Sequence, residues 1–160
     1  MIVVSNATPL IGLTKIGKLE FLKDYFGTVR IPGSVYAEVV TDARSRPGAL
    51  EVSQAAWIIT QAPVDRTKVD YLRADLDAGE AEVLVLAEEL SADWILLDET
   101  KARLAADLLG FRYIGTIGLL LLAKRMGKVE MVRPLLDELR EEKFYISERV
   151  YQLTLGQAGE

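Results

Sequence analysis

The 160-residue chain contains no histidine and no cysteine. Without cysteine there is no disulfide framework, no thiolate zinc site and no thiol nucleophile. Without histidine, Ser-His-Asp and Cys-His relays and most transition-metal sites are excluded as well. Acid–base or metal chemistry must therefore rest on Asp and Glu, with Lys, Tyr or Ser as lesser options. Long hydrophobic runs are also missing. The longest, Ile117 to Ala123, is far too short to cross a bilayer, and the opening MIVVSNATPLIGLTK lacks the basic start of a signal peptide. These features lead us to expect a cytoplasmic protein with no membrane partner. Positive charge is scarce too. The net charge of −5 argues against broad, non-specific coating of nucleic acid. It does not exclude a nuclease, because a metal-binding cluster of carboxylates itself makes the count more acidic.

Half of the residues are apolar, enough for a substantial core at this length. The length predicts a single domain over residues 1–160, and no repeat or low-complexity tract interrupts it. Short β-branched runs alternate with amphipathic stretches. Strands are predicted at Ile2 to Ser5, Val29 to Ile31, Trp57 to Thr60, Trp94 to Leu97 and Arg112 to Ile114. Between them, helices are predicted over Pro9 to Ile16 and Lys18 to Phe26, broken at Gly17. Further helices are predicted over Ser34 to Thr41 (with Ser34 as N-cap), Ala49 to Ala55, Gly79 to Leu90, Thr100 to Leu109 and Thr116 to Met126. Two more close the chain, around Glu130 to Glu141 and Ser147 to Leu155, and Arg44 to Gly48 reads as a loop. Such alternation implies a mostly parallel sheet covered by helices on both faces, an α/β/α sandwich. Ligands in such folds sit beyond the carboxyl ends of the strands.

Polar groups gather where that rule points. Asn6 follows the first strand, and the run Trp94 to Leu97 ends in the adjacent acids Asp98 and Glu99. If the strands are parallel, these residues share one sheet edge. Structural roles compete with this: Asp98 suits an N-cap for the helix starting near Thr100, and Asn6 suits a cap before Pro9. Glu80 lies three and four residues before Val83 and Leu84, on the apolar stripe those residues form with Ala87 and Leu90. A carboxylate facing inward needs a partner, and Asp77, at capping-box spacing, is the local one. Glu82 and Glu89 are expected to point the opposite way, into solvent. Glu38 borders the inner face marked by Val35 and Val39, where an ion pair with a neighbouring base would be its ordinary fate. Taken together, these groups suggest one acidic pocket. Carboxylates at close range raise one another's pKa, and Mg²⁺ or Mn²⁺, which prefer oxygen ligands, would remove that repulsion. In phosphodiester hydrolysis such a metal activates water and screens charge growing on the phosphate.

The segments VVSNATPLIGLTKIGKLEFL, IPGSVYAEV, LDAGEAEVLVLAEEL, WILLDETKAR and GFRYIGTIGLLLLAKRMG, in this order and spacing, resemble a PIN-domain nuclease of a VapC-like branch over nearly the whole chain. The resemblance implies an α/β/α sandwich and a Mg²⁺- or Mn²⁺-dependent ribonuclease. It also implies an RNA substrate, an antitoxin partner encoded beside the toxin, and a homodimer. Carried over by motif, the metal-site residues fall on Asn6, Glu38, Glu80 and Asp98, the three acids being the catalytic set. Glu99 and Thr116 lie nearby, and Thr116 opens a helix whose N–H groups can hold a phosphate. Lys15, Arg44, Arg46, Lys101 and Arg103 are the candidate RNA contacts, with ordinary solvated charge as the competing reading for each. The family generally carries Asp where this chain has Asn6. An amide oxygen can coordinate Mg²⁺ but brings no charge, which should lower metal affinity. The competing function is therefore a PIN fold weakened by Asn6 that binds RNA or protein. A receiver-like phosphoacceptor is disfavoured, because Ser5-Asn6-Ala7 lacks the acidic pair such a domain needs after its first strand.

Overall fold

In the computed structural model, which describes residues 1–43, 46 and 48–160, the chain builds one parallel sheet from five short strands. They are β1 (Val3–Ser5), β2 (Val29–Ile31), β3 (Ile58–Thr60), β4 (Trp94–Leu96) and β5 (Tyr113–Ile114). Their order across the sheet is β3-β2-β1-β4-β5. β1, β2 and β4 are mostly β-branched or apolar, and apart from the half-buried Arg30 and Trp94 they are buried, as strands covered on both faces must be. The chain runs outward from β1 to β2 and β3, then returns to the other side of β1 as β4. Pairing of Val4 with both Arg30 and Ile95 fixes the register there. That reversal opens a crevice beyond the carboxyl ends of β1 and β4.

Between β1 and β2 lie α1 (Ala7–Lys15) and α2 (Glu20–Phe26), and α4 (Ala49–Gln54) precedes β3. The predicted helix at Ser34 is composite: α3 (Gly33–Tyr36) widens into a π-turn over Ala37–Thr41. Its N-cap is Pro32, not Ser34. Ser34 is instead drawn sideways to the carboxylate of Glu82. After β3 come α5 (Arg66–Leu72), which periodicity did not reveal, and α6 (Ala78–Glu89). Only Val69 of α5 is buried, so the segment shows no apolar stripe, and its one local signal is the Asp65 side chain capping Lys68 N–H at 3.0 Å. α6 has no solvated face over most of its length. Every residue from Gly79 to Ala87 is buried, because α3, α5, α7 (Thr100–Leu108), β1 and β4 surround it. Glu82 is therefore buried, contrary to the amphipathic reading, which assumed that one side of this helix met water.

α8 (Thr116–Arg125), α9 (Arg133–Glu141) and α10 (Glu148–Ala158) complete the chain. Several helices end in the same way. After α1, Gly17 N–H donates to Thr14 O and Lys18 N–H to Leu13 O, with Gly17 left-handed at φ 63°. This is the double bond of a Schellman turn, which favours glycine because a Cβ is disfavoured there. After α9 the same pair of bonds forms, from Lys143 to Arg140 O and from Phe144 to Leu139 O. Here the left-handed residue is Lys143, at φ 67°. No helix among the described residues is long and apolar enough to cross a membrane.

Candidate functional site

Asn6 leaves β1 with its backbone N–H still on the ladder, donating to Leu96 O at 2.9 Å. It occupies the N-cap position of α1, but its side chain makes no capping bond. The amide crosses the sheet edge instead, donating from Nδ2 to Glu99 Oε2 at 3.0 Å. The Thr8 hydroxyl donates to the other oxygen of Glu99. Thr8 was not singled out from the sequence, although its position two residues after Asn6 was the available signal. A Cβ on Gly79 would stand 3.3 Å from Asn6 Oδ1, so the first turn of α6 rests directly against this amide.

Glu80 sits in that first turn, 8 % exposed. It forms a capping box with Asp77: Asp77 N–H donates to Glu80 Oε2 at 2.9 Å, and Glu80 N–H donates to Asp77 Oδ1 at 2.8 Å. The local partner inferred from spacing is therefore present, but it does not isolate the acid. Burial raises the pKa of Glu80; the Asp77 backbone bond opposes this, the charges of Asp77 and Glu99 add to it, and Lys101 opposes it. Glu38 is held in the π-turn and exposed. Its pKa too is raised, first by partial burial and then by Asp77, Glu99 and Glu80. Glu38, Glu80 and Glu99 thus lie within one another's fields, with Asn6 bonded to Glu99.

Asp98 turns to the other side of the crevice. Glu99, not Asp98, takes the N-cap position of α7, so Asp98 does not cap the helix that follows it. Standing one residue earlier, it reaches the end of β5 and accepts from Thr116 N–H at 2.9 Å and from the Thr116 hydroxyl at 2.7 Å. It thereby satisfies the first turn of α8. The N–H of Thr116, a candidate phosphate donor, is already engaged by this carboxylate. Burial is the main reason the Asp98 pKa is raised, against lowering by both Thr116 bonds and by Arg103. Arg103 lies 3.7 Å from Asp98, donates from Nε to Leu97 O at 3.0 Å, and stacks over the Tyr113 ring. Gly115 makes this possible: a Cβ there would fall 2.5 Å from Asp98 Oδ1 and overlap the Arg103 guanidinium.

The remaining candidates scatter. Lys15 donates from Nζ to Glu142 O at 2.9 Å, Lys101 is exposed but within the field of Glu80, and Arg46 is exposed. Arg44 lies outside the described residues, as do parts of the predicted loop that contains it. Glu82, expected in solvent, is bound by Ser34 and by Arg66 at 2.8 Å. Burial alone would raise its pKa, but these bonds outweigh it and hold the carboxyl below its ordinary value. It is a structural tie between α3, α5 and α6.

The donor chemistry of the crevice fits a hard divalent cation. Asn6 Oδ1, Glu38, Glu80, Asp98 and Glu99 are all oxygen donors, and the pKa values of Glu38, Glu80 and Asp98 are raised first by burial, with the charge of Glu99 adding to each. Among the described residues, no three acidic side chains stand close enough together to hold an ion as they are. Glu80 is tied to its cap, Asp98 to Thr116, and Glu99 to Asn6 and Thr8. Ligation would exchange some of these bonds for metal–oxygen ones.

A family model described as a PIN domain matches residues 2–160. No curated protein matches the chain.

Proposed function

Because the chain belongs to the PIN-domain family, a nuclease fold, we propose that it hydrolyses phosphodiester bonds of RNA at the crevice beyond β1 and β4. The observation that carries this reading is the buried Asn6 amide beyond β1, bonded across the sheet edge to Glu99 and resting against the first turn of α6 that carries Glu80. The residues that would hold Mg²⁺ or Mn²⁺ are Asn6, Glu38, Glu80 and Asp98, with Glu99 close beside them. A bound cation supplies a lowered water pKa and a counter-charge for the phosphate. The chain's own residues do the rest. Glu99 and Thr8 orient Asn6, the Asp77 cap aims Glu80, and Thr116 and Gly115 fix Asp98 against β5. Lys101 and Arg103 bring positive charge to the two sides of the acids. On the same reading the protein belongs to the VapC-like branch, acts as the toxin of a toxin–antitoxin pair in the cytoplasm, and works as a homodimer.

One observation favours a second reading, a PIN fold that binds RNA or protein without cutting it. Asn6 brings no charge, and its Nδ2 is spent on the acid nearest to it. Incubation of the protein with unpaired RNA and Mn²⁺ separates the two. Cleavage that EDTA stops and that Glu38→Gln and Glu80→Gln lose supports the nuclease. Absence of cleavage in the wild type, with metal bound, supports the second reading.

A further inference from the structure

Among the described residues two charged side chains are buried, Glu80 and Glu82, and they stand two residues apart on α6. Glu80 belongs to the crevice. Glu82 is bonded to other helices. Its Oε2 accepts from the Ser34 N–H at 3.2 Å and from the Ser34 hydroxyl, and its Oε1 accepts from Arg66 Nη1 at 2.8 Å. Ser34 lies in α3, four residues before Glu38. This helix needs an outside tie. It has only four residues, far fewer than a helix needs to persist in water, and its N-cap Pro32 makes no side-chain capping bond. Beyond it the backbone widens: Asp42 N–H donates to Ala37 O at 2.7 Å, closing the π-turn that contains Glu38. Single π-turns are rare and recur at functional sites.

We propose that Glu82 is a positioning residue: by fixing α3 on α6 it sets where Glu38 stands relative to Glu80. The two helices also meet at Gly79, where a Cβ would stand 3.6 Å from Val35 Cγ2 and 3.3 Å from Asn6 Oδ1. That contact brings α3 up to the start of α6, but apolar packing is non-directional and tolerates sliding. The Ser34 bonds, three residues further along α6, have set lengths and angles and so fix the register. The choice of a carboxylate supports the assignment. A buried charge costs desolvation that an apolar side chain of the same size would not, and its pairing seldom returns a net gain in stability. Here the ion-pair partner, Arg66, is 54 % exposed and offsets little of that cost. What the carboxylate does secure is geometry, because one oxygen holds both donors of Ser34.

The proposal rests on the reading of Glu38 and Glu80 as cation ligands, and one part of its test needs no metal. Hydrogen exchange of the full-length chain in EDTA reads the π-turn directly. Glu82→Ala should speed exchange across residues 37–42 roughly ten-fold, the scale of one lost hydrogen bond to a charged group. Arg66→Ala leaves both Ser34 bonds in place and should not. Glu82→Gln loses the charge but keeps an oxygen for Ser34, so it should exchange as the wild type does. Calorimetric titration with Mn²⁺ reads the consequence. Glu82→Ala should bind roughly ten-fold more weakly, as when a group that orients a ligand is lost. Glu82→Gln and Arg66→Ala should bind as the wild type does. Ser34→Ala, a milder change should Glu82→Ala fail to fold, should move both readings in the same direction as Glu82→Ala. Unchanged exchange at residues 37–42 in Glu82→Ala and Ser34→Ala overturns the proposal. So does a Glu82→Gln protein that binds Mn²⁺ as weakly as Glu82→Ala, because charge and not position would then be the cause. A wild type that binds no Mn²⁺, with the same exchange pattern among the variants, sinks the metal-site reading and leaves the positioning of the Glu38 turn standing.

Discussion

Replacing Asp98 in two different ways separates its shape from its charge. Its carboxylate accepts from the N–H and the hydroxyl of Thr116, a residue with no exposed surface. Asp98→Ala removes both acceptors and orphans a buried N–H in the first turn of α8, the helix that carries Leu119, Leu120 and Ala123 into the core. Hydrogen bonds to a charged acceptor contribute about 1.5–3 kcal/mol each, and an orphaned buried donor costs about 1–3 kcal/mol. Against this stands relief of a desolvated charge, whose raised pKa marks it as unfavourable. The Arg103 pair, at 3.7 Å and partly exposed, adds little. A net loss of about 2–3 kcal/mol follows, or a fall in Tm of roughly 4–12 °C for a domain of this size. Asp98→Asn should behave differently. Its Oδ1 still accepts from the N–H, its Nδ2 can donate to the hydroxyl oxygen, and the charge is gone. Without metal it should match the wild type within about 1 kcal/mol, or exceed it. Circular-dichroism melts of the three proteins at neutral pH in EDTA decide the matter. An Asn variant as unstable as the Ala variant would show that charge, not geometry, holds α8. An Ala variant as stable as wild type would show that the Thr116 bonds contribute nothing.

Other outcomes follow from the same geometry. Glu38, Glu80 and Asp98 have folded-state pKa values above their ordinary 4.5, 4.5 and 3.8, so the native state binds the extra protons. In EDTA, stability should therefore fall as pH rises from that ordinary range toward neutrality, and recover on acidification through the same window. The lowered Glu82 and Glu160 act only below their ordinary value, and a melt series across this window with Glu38→Gln as the flatter control checks the sign. Asn6→Asp places a carboxylate where Nδ2 now donates to Glu99. It should lower Tm in EDTA yet bind Mn²⁺ more tightly in calorimetric titration, and at about 100 times the dissociation constant the metal should return roughly 2.7 kcal/mol. Lys143→Gly releases a left-handed side chain and should stabilise the protein by about 1 kcal/mol in denaturant unfolding.

How far the molecule could be read from its residues depended on how local each cause was. The strand–helix alternation, the parallel sheet and the sheet edge that gathers Asn6, Asp98 and Glu99 all rest on periodicity and strand-end chemistry, which are local. The capping box at Asp77 and Glu80 is local too. What stayed hidden depends on neighbours far along the chain. The partner of Asp98 is Thr116, supplied by the start of α8 beyond the next strand, so a cap expected for α7 became an anchor for α8. Glu82 looks solvated until α3 and α5 close over it. α5 buries too few residues to show a stripe.

The central place of β1 also governs timing. Asn6 and Glu99, bonded across the crevice, are 93 residues apart in the chain. At synthesis rates of about 5–20 residues per second, the second of them is added roughly 5–20 s after the first. A ribosome-bound fragment ending before β4 carries Asn6, Glu38 and Glu80 but lacks the strand that pairs with β1 and the acids that follow it. The crevice has only one wall until then. Translation that stops early therefore releases pieces without an assembled acidic crevice, which forms only once the second half has been synthesised and has paired with the first.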